Sequence, residues 1–437
     1  MPQRQGKHER SQERPEVVIV GAGFGGLAVT EHLAHLPVAI TLVDRHDYHT
    51  FHPLLYQVAT SLLNAEDVGR PVRDMFHHQE NVTFRQATAT GADWEARHLQ
   101  LAEGDALPFD YLVLAAGSTA NYFGIPGAAA YALPLYTLPD AVRLRNQILG
   151  RFEATDRDPA LINDGALTFV VVGGGPTGVE TAGALVDLFH HELRRDYADL
   201  AVNQARVVLV QRGDSLLPGY TEHLRAYTRK TLEERGVEVR LGNAVTEVSA
   251  SGVRLQSGEA LRTHTTIWAG GLHVGPLADQ LGLPQGEKGR MIVGSDLSVA
   301  GHPDVFVVGD LAQMTDGGQI LPQLAQPAIQ SGAHAAHQIT RRLMGESGLP
   351  FHYVNLGTMA TIGRGTAVCA FPTGLTLQGS VAWLAWLSVH LVELSGMRNR
   401  LDVLGDWGWN LLTHERAADI VIDPAEILAR GESHGKG

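Results

Sequence analysis

One cysteine, Cys369, stands in the 437-residue chain. A single thiol excludes an intrachain disulfide, a CxxC redox pair, a cysteine-ligated iron–sulfur cluster and a multi-cysteine zinc site. Cys369 itself reads as a small buried hydrophobe. Basic residues are also short: 34 Lys and Arg against 47 Asp and Glu leave a net charge of -13. That balance argues against a nucleic-acid partner, which needs clustered cations. No run of about 18 uninterrupted apolar residues occurs, so no membrane-spanning helix is expected. The opening residues MPQRQGKHERSQERPE hold no apolar core, so no secretory signal is expected. They and the tail ARGESHGKG read as disordered.

Glycine is abundant, at 49 residues, and its placement carries the reading. Val17–Val20 is a β-branched run that stops at Gly21, and Gly21, Gly23 and Gly26 follow at GxGxxG spacing. LAVTEHLAHL then reads as a helix, and VAITLVD as a buried strand ending at Asp44, 23 positions after Gly21. The pattern returns 152 residues later: LTFVVV is a strand, Gly173, Gly175 and Gly178 repeat the spacing, VETAGALVDLFHHELRRDYADL reads as one long helix, and ARVVLVQ as the next strand. The first glycine permits a tight turn, the second lets the backbone approach a pyrophosphate, and the third lets the helix pack on its strand. The helix amino terminus offers N–H groups and a positive dipole end to the anion. Two such units, about a domain length apart, imply a duplicated dinucleotide-binding fold.

The units differ where a ribose would lie. Asp44 suits ribose hydroxyls; Gln211, followed by Arg212, stands at the matching place in the second unit. A carboxylate repels a 2′-phosphate, whereas an amide beside a guanidinium accepts one. NADPH is therefore expected to be tolerated, with the choice between NADH and NADPH left open. DYLVLAAGS and DVFVVGDLAQ are further strands running into small-residue turns. Asp310, at the end of the second, suits the ribityl or phosphate portion of a flavin.

The expected architecture is α/β: two Rossmann-like domains, with residues 15–150 and 290–345 forming a split FAD domain and residues 160–285 an inserted NAD(P)H domain. Residues 346–425 would form strands and amphipathic helices, with 1–14 and 426–437 disordered. VAWLAWLSVHLVEL, 14 residues, is too short to cross a bilayer, and its Ser388, His390 and Glu393 do not gather on one stripe. In DVLGDWGWNLLTHER, Val403, Leu404, Trp407 and Leu411 share a face opposite Asp406, Asn410 and Thr413. His46, His49 and His52 are regularly spaced, but packing or polar contacts are expected of them, and no metal site.

Several stretches carry a family resemblance: VIVGAGFGGL, HPLLYQVATS, LVLAAGSTANYFGIPG, VVGGGPTGVETAGAL, VFVVGDLA, LAQPAIQSG, GTMATIGRGTAV and AWLSVHLVELSGMRNRL. From about Pro15 to Pro424 the chain resembles the type II NADH dehydrogenases, single-subunit flavin-dependent NAD(P)H:quinone oxidoreductases. The resemblance implies hydride transfer from NADH or NADPH to FAD, then two electrons to a membrane quinone without proton pumping. It sets Gly21, Gly23, Phe24, Gly25, Gly26, Asp44, Ala116, Gly117, Gly309 and Asp310 against FAD. Gly173, Gly175, Pro176, Thr177, Gly178, Gln211, Arg212 and Gly270 would hold the pyridine nucleotide. Gln326 and Gln330, in an AQxAxQ pattern, would sit at the quinone pocket, and Glu180 would take part in proton delivery. With no cysteine pair, electrons would leave the flavin directly, unlike the thiol relays of disulfide reductases and sulfide:quinone reductases. The implied partners are a quinone and the cytoplasmic face of a membrane, met peripherally by the C-terminal helices through Arg398, Arg400 and Arg416; a homodimer is admitted. Trp383, Trp386, Trp407 and Trp409 would guide a lipid-soluble acceptor. The alternatives are a soluble NAD(P)H-dependent flavin reductase for a protein or small-molecule acceptor, and a flavin-based sensor of the NAD(P)H pool.

Overall fold

The computed structural model describes residues 14–197 and 202–413. Residues 1–13, the tail 426–437 and Arg416, each given a role or state above, lie outside these residues. In chain order the elements used below are β1 (Glu16–Val20), α1 (Phe24–Leu33), β2 (Ala39–Asp44), β3 (Val82–Gln86), β4 (Tyr111–Leu114), β5 (Ala132–Pro134), α2 (Leu138–Arg157), β6 (Thr168–Val172), α3 (Pro176–Asp187), β7 (Arg206–Val210), α4 (Glu222–Glu234), β8 (Val237–Arg240), β9 (Thr265–Trp268), β10 (Ser298–Val299), β11 (His302–Val307), α5 (Ala325–Leu343), β12 (Thr358–Thr361), β13 (Ala367–Ala370), β14 (Thr376–Gln378), α6 (Gly379–Glu393) and α7 (Met397–Thr413).

The described chain divides into two compact units. Residues up to His49, Pro71–Thr119 and His273–Val354 form the first; Thr50–Arg70, Ala120–Leu272 and the residues from Asn355 onward form the second. The first holds a sheet in the order β10-β11-β4-β1-β2-β3, parallel except where β10 meets β11. The second holds an all-parallel sheet in the order β5-β9-β6-β7-β8. Burial on both faces suits parallel strands: Val17 to Val20 of β1 and all of β6 are buried. The late strand β11 pairs with the early β4, Phe306 opposite Val113, so the first nucleotide fold is split as expected.

The boundaries differ from the expected ones. Residues 120–150 fall in the second unit, because β5 is a strand of its sheet, with Leu133 opposite Ile267. Helix α2 follows directly, opened by a reciprocal cap in which Asp140 N–H donates to Thr137 Oγ1 and Thr137 N–H to Asp140 Oδ2. Residues 273–285 fall in the first unit and the C-terminal strands and helices in the second. Such boundaries follow strand pairing, which motif spacing does not encode.

The single long helix expected after Gly178 is interrupted. α3 ends at Asp187 and passes into a π-helical turn, Leu188–Leu193, a local widening common at functional sites. The C-terminal helices also differ from their expected faces. α6 buries Ala382, Trp386 and His390, four residues apart, while Val381, Leu384, Val389 and Val392 are exposed. α7 buries Val403, Trp407 and Asn410; Leu404 and Leu411, expected on the face of Val403 and Trp407, are exposed. The polar members turn inward because they have partners there. Trp407 Nε1–H donates to Gln57 Oε1 at 2.8 Å and Asn410 Nδ2–H to Glu192 Oε1 at 3.4 Å. No helix among the described residues is long and apolar enough to cross a membrane.

α7 is seated on residues 66–69 by Asn399, whose amide donates to the carbonyls of Glu66 and Asp67, both at 2.9 Å. Asp406 meets the Asp67 carboxyl at the same seat; burial, then the charges of Asp67 and Asp402, push Asp406 up to about 6. A carboxyl whose folded-state pKa is raised favours the native state while protonated and loses that contribution as pH rises through the folded value. Asp406→Asn should therefore raise stability at pH 7.5, by up to about 1 kcal/mol after solvent screening. Thermal melts at pH 7.5 and pH 5 check this: the gain should shrink at the lower pH.

Candidate functional site

The two glycine turns are built alike, contact for contact. Gly21 N–H donates to Val43 O at 2.7 Å and Gly173 N–H to Val210 O at 2.8 Å. Both residues have positive φ, 106° and 114°, and a Cβ on either would overlap a carbonyl of the neighbouring strand end, Ala115 or Ala269. Gly26 and Gly178 approach so closely that a Cβ would overlap the carbonyls of Gly21 and Gly173 respectively. The middle glycines are different: a Cβ on Gly23 or Gly175 meets nothing within 4 Å. These two positions face open space at the mouths of α1 and α3, where no side chain caps either helix. An open, uncapped helix start with a bare backbone fits the pyrophosphate of a dinucleotide.

The ribose positions correspond as well. Ala22 N–H donates to Asp44 Oδ2 at 2.7 Å, and Gly174 N–H donates to Gln211 Oε1 at 3.0 Å. Gln211 thus holds the place of Asp44, with an amide whose nitrogen end is a donor. Arg212 beside it is exposed and makes no ion pair among the described residues. Ala116–Gly117 and Gly270–Gly271 follow the equivalent residues Ala115 and Ala269, with Gly117 at φ 70° and Gly271 at φ 149°.

In the first unit Gly309 is left-handed at φ 66°, and its N–H donates to Ser331 Oγ at 3.0 Å. The Ser118 hydroxyl donates to Asp310 Oδ2 at 2.8 Å. α5 packs on α1 through Gly332, where a Cβ would overlap Gly25 O. Gly21, Gly23, Gly25, Gly26, Asp44, Ala116, Gly117, Gly309 and Asp310 therefore share one unit and its strand ends, with Phe24 in the first turn of α1. Gln326 and Gln330 lie in the first turns of α5 of the same unit. Gln330 bonds the backbone of Val354 at both ends of its amide, accepting from the N–H at 2.9 Å and donating to the carbonyl at 3.0 Å.

In the second unit, Glu180 lies on α3, buried at 8 % exposure, and accepts from Thr361 N–H at 3.2 Å. The Trp386 indole N–H approaches the carboxyl without reaching hydrogen-bond geometry. Burial outweighs both and pushes Glu180 up to about 8, so it holds its proton at neutral pH. Pro176, Thr177 and Gly178 form the first turn of the same helix. Gly183, one turn beyond Glu180, lets α3 touch the backbone after β12: a Cβ there would stand 2.7 Å from Ile362 O.

Sequence reasoning passed over the neighbours of Glu180. Tyr56 and its hydrogen-bond partner Gln57 stand within HPLLYQVATS without an individual role, Thr361 comes from a distant segment, and Trp386 is expected there only to guide the acceptor. The four tryptophans differ in exposure: Trp386 and Trp407 are buried with ring centroids 6.1 Å apart, whereas Trp409 is 56 % exposed. The histidines scatter. His49 bonds Ala22 O at 2.9 Å through Nδ1, His46 stacks on Tyr48, and His52 is buried beside Tyr136.

Duplicated nucleotide folds of this kind define a class, and the comparisons agree: residues 15–332 match the pyridine nucleotide-disulphide oxidoreductase family model. Residues 355–414 match the NDH2 C-terminal domain. The type II NADH:quinone oxidoreductase NdhA of Mycobacterium tuberculosis is 37% identical over 435 residues, covering 95% of this chain and 91% of the relative. The demethylphylloquinone reductase NdbB of Synechocystis is 31% identical, covering 90% and 98%. Among solved structures, NDH2 of Plasmodium falciparum in complex with NADH superposes with a TM-score of 0.85 at 19% identity, covering 94% of this chain and 100% of that one. The chain belongs to the type II NADH:quinone oxidoreductases.

The middle glycine offers a clean test, because its side is open while the third is closed. Gly23→Val should fold with stability within about 0.5 kcal/mol of wild type and yet purify without the yellow flavin absorbance. Gly26→Val, which drives a side chain into Gly21 O, should fail to give soluble folded protein. Circular dichroism and the visible spectrum read both outcomes.

Proposed function

We propose that this protein oxidises NADH, and tolerates NADPH, with bound FAD, and reduces a quinone at a membrane surface. The observation that carries the reading is the pair of matched glycine turns, each with an open middle glycine, in a chain with one buried cysteine. When bound, FAD supplies the hydride-accepting and electron-passing chemistry. The chain's own residues hold and orient. Gly21, Gly23 and Gly26 admit the flavin nucleotide's pyrophosphate, Asp44 its ribose, and Asp310, with Ser118 fixing its carboxyl, the ribityl end. Gly173, Gly175 and Gly178 do the same for the nicotinamide nucleotide. Gln326 and Gln330 face the acceptor from α5, and Glu180 carries a proton.

Peripheral membrane contact is supported by the outer faces of α6 and α7. Val392 is 69 % exposed and Leu412 83 %, and Val381, Leu384, Leu401 and Trp409 join them. Exposed apolar side chains of this kind on the outer faces of two helices suit the headgroup boundary, and Arg398, among the described residues ion-paired with the neighbouring Asp402 alone, lies on the same helix as Leu401, Trp409 and Leu412.

Steady-state oxidation of each nucleotide with menaquinone and ubiquinone analogues, on flavin-loaded protein, is the deciding experiment. Efficient turnover with a water-soluble protein acceptor and none with any quinone would sink the reading. Gln211→Glu places a carboxylate against the 2′-phosphate and should lower kcat/KM for NADPH by about tenfold or more relative to NADH, on the order of 1.4 kcal/mol; an unchanged ratio refutes the assignment. Leu384→Asp with Leu412→Asp should reduce co-sedimentation with anionic lipid vesicles while leaving turnover with a short-chain quinone intact.

A further inference from the structure

The net reaction, NADH + H⁺ + quinone giving NAD⁺ + quinol, takes up one proton per turnover from water. Glu180, buried among Thr361, Trp386 and Tyr56, must be resupplied if it delivers that proton. A cavity of about 60 Å³ lies in the same unit, open on one side to solvent, with Tyr56, Gln57, Thr361, Asp187, Arg364 and Trp407 in its wall. It has room for roughly two to four waters. We propose that this cavity is the aqueous port through which Glu180 is reprotonated, and that the hydroxyls of Tyr56 and Thr361 form its inner end. The inference rests on the quinone reductase reading above.

Two hydrogen-bond directions along the wall are determined. Trp407 Nε1–H donates to Gln57 Oε1 at 2.8 Å, and an indole N–H cannot accept. The Gln57 amide is thereby oriented with its nitrogen toward Tyr56, and Nε2 donates to Tyr56 Oη at 2.9 Å. Tyr56 Oη and Thr361 Oγ1 share a hydrogen bond of 2.9 Å in which either hydroxyl can donate. The Thr361 hydroxyl belongs to the residue whose N–H holds Glu180 Oε1. Two adjoining hydroxyls, Tyr56 and Thr361, therefore run from the cavity wall to the residue that holds the buried carboxyl, and the bond between them can be oriented either way.

The outer wall mixes apolar side chains, among them Leu62, Trp383 and Leu387, with a paired charged cluster. Asp187 accepts from Arg235 Nη1 at 2.7 Å and from Arg364 N–H at 2.6 Å, and Arg364 Nη2 donates to Leu411 O at 2.8 Å. The π-helical turn after α3 brings Glu192 to the same wall. Among the described residues, the ionisable groups facing Glu180 are Tyr56, on the short Leu55–Ala59 helix, and Tyr220, before α4. Burial holds both phenols above their ordinary range. β12 presents Thr361 and α6 presents Trp386, neither of which titrates near neutrality, and among the described residues no cation faces the carboxyl.

The test uses full-length, flavin-loaded protein carrying Thr361→Val, Tyr56→Phe or Thr361→Ser. Each is assayed with a soluble quinone and with ferricyanide, a one-electron oxidant that takes no proton. Thr361→Val keeps the N–H that holds Glu180 and removes only the hydroxyl. It should slow quinone turnover about tenfold or more, within the range for a lost proton-transfer group, and enlarge the solvent deuterium isotope effect. Ferricyanide turnover should change less than twofold. Tyr56→Phe should act in the same direction, and Thr361→Ser should stay near wild type. In wild type, quinone turnover should fall as pH rises through about 8, the value to which burial pushes Glu180. Thr361→Val and Tyr56→Phe reducing quinone at the wild-type rate, or losing both activities equally, overturns the port. Wild-type protein that reduces ferricyanide but no quinone overturns the quinone reading and the port with it.

Discussion

Two carbonyl oxygens, those of Gly21 and Gly173, leave no room for a side chain on the helix that follows. Because Gly26 and Gly178 lack one, α1 and α3 lie against their strands and start at the sheet edge, uncapped. That contact aims the dipole of each helix and its first N–H groups at one point. Everything else in each nucleotide fold is arranged around it: the neighbouring strand ends at Ala115 and Ala269 close the turn, and Asp44 or Gln211 ties its second residue from the side. The repetition of distances in the two units is the same steric problem solved twice by the same residue type.

The second unit adds a different constraint, the cost of keeping a carboxyl out of water. Glu180 has one firm hydrogen bond, from a backbone N–H, and no cation facing it among the described residues. It is therefore neutral at pH 7, a proton donor rather than an anion. The polar groups drawn inward in the same unit, Trp407 to Gln57 and Asn410 to Glu192, set which face of α7 is inner. The aliphatic residues are left outward as a consequence. The exposed apolar surface and the buried polar chain are thus two results of one packing choice.

Legibility followed the range of the interactions. The glycine turns, their strands and the Asp44 position are local, with spacings set by one turn of chain, so they could be read directly. The Gln211 correspondence could be read for the same reason. The C-terminal faces could not: periodicity put Val403, Leu404, Trp407 and Leu411 on one face opposite Asn410, and the structure buries Asn410 with Val403 and Trp407 and turns Leu404 and Leu411 outward, because Glu192 satisfies the Asn410 amide. Residues 120–150 went to the wrong sheet in the sequence reading because the pairing of β5 with β9 joins positions more than 130 apart.

Composition and local spacing by themselves determined a duplicated α/β nucleotide fold with no thiol relay, since glycine sterics and a missing element need no knowledge of the rest of the chain. Only the tertiary structure decided the surroundings of Glu180. Tyr56, Thr361 and Trp386 reach it from three separate segments, and a buried group's proton affinity depends on what surrounds it in space, which order along the chain does not specify.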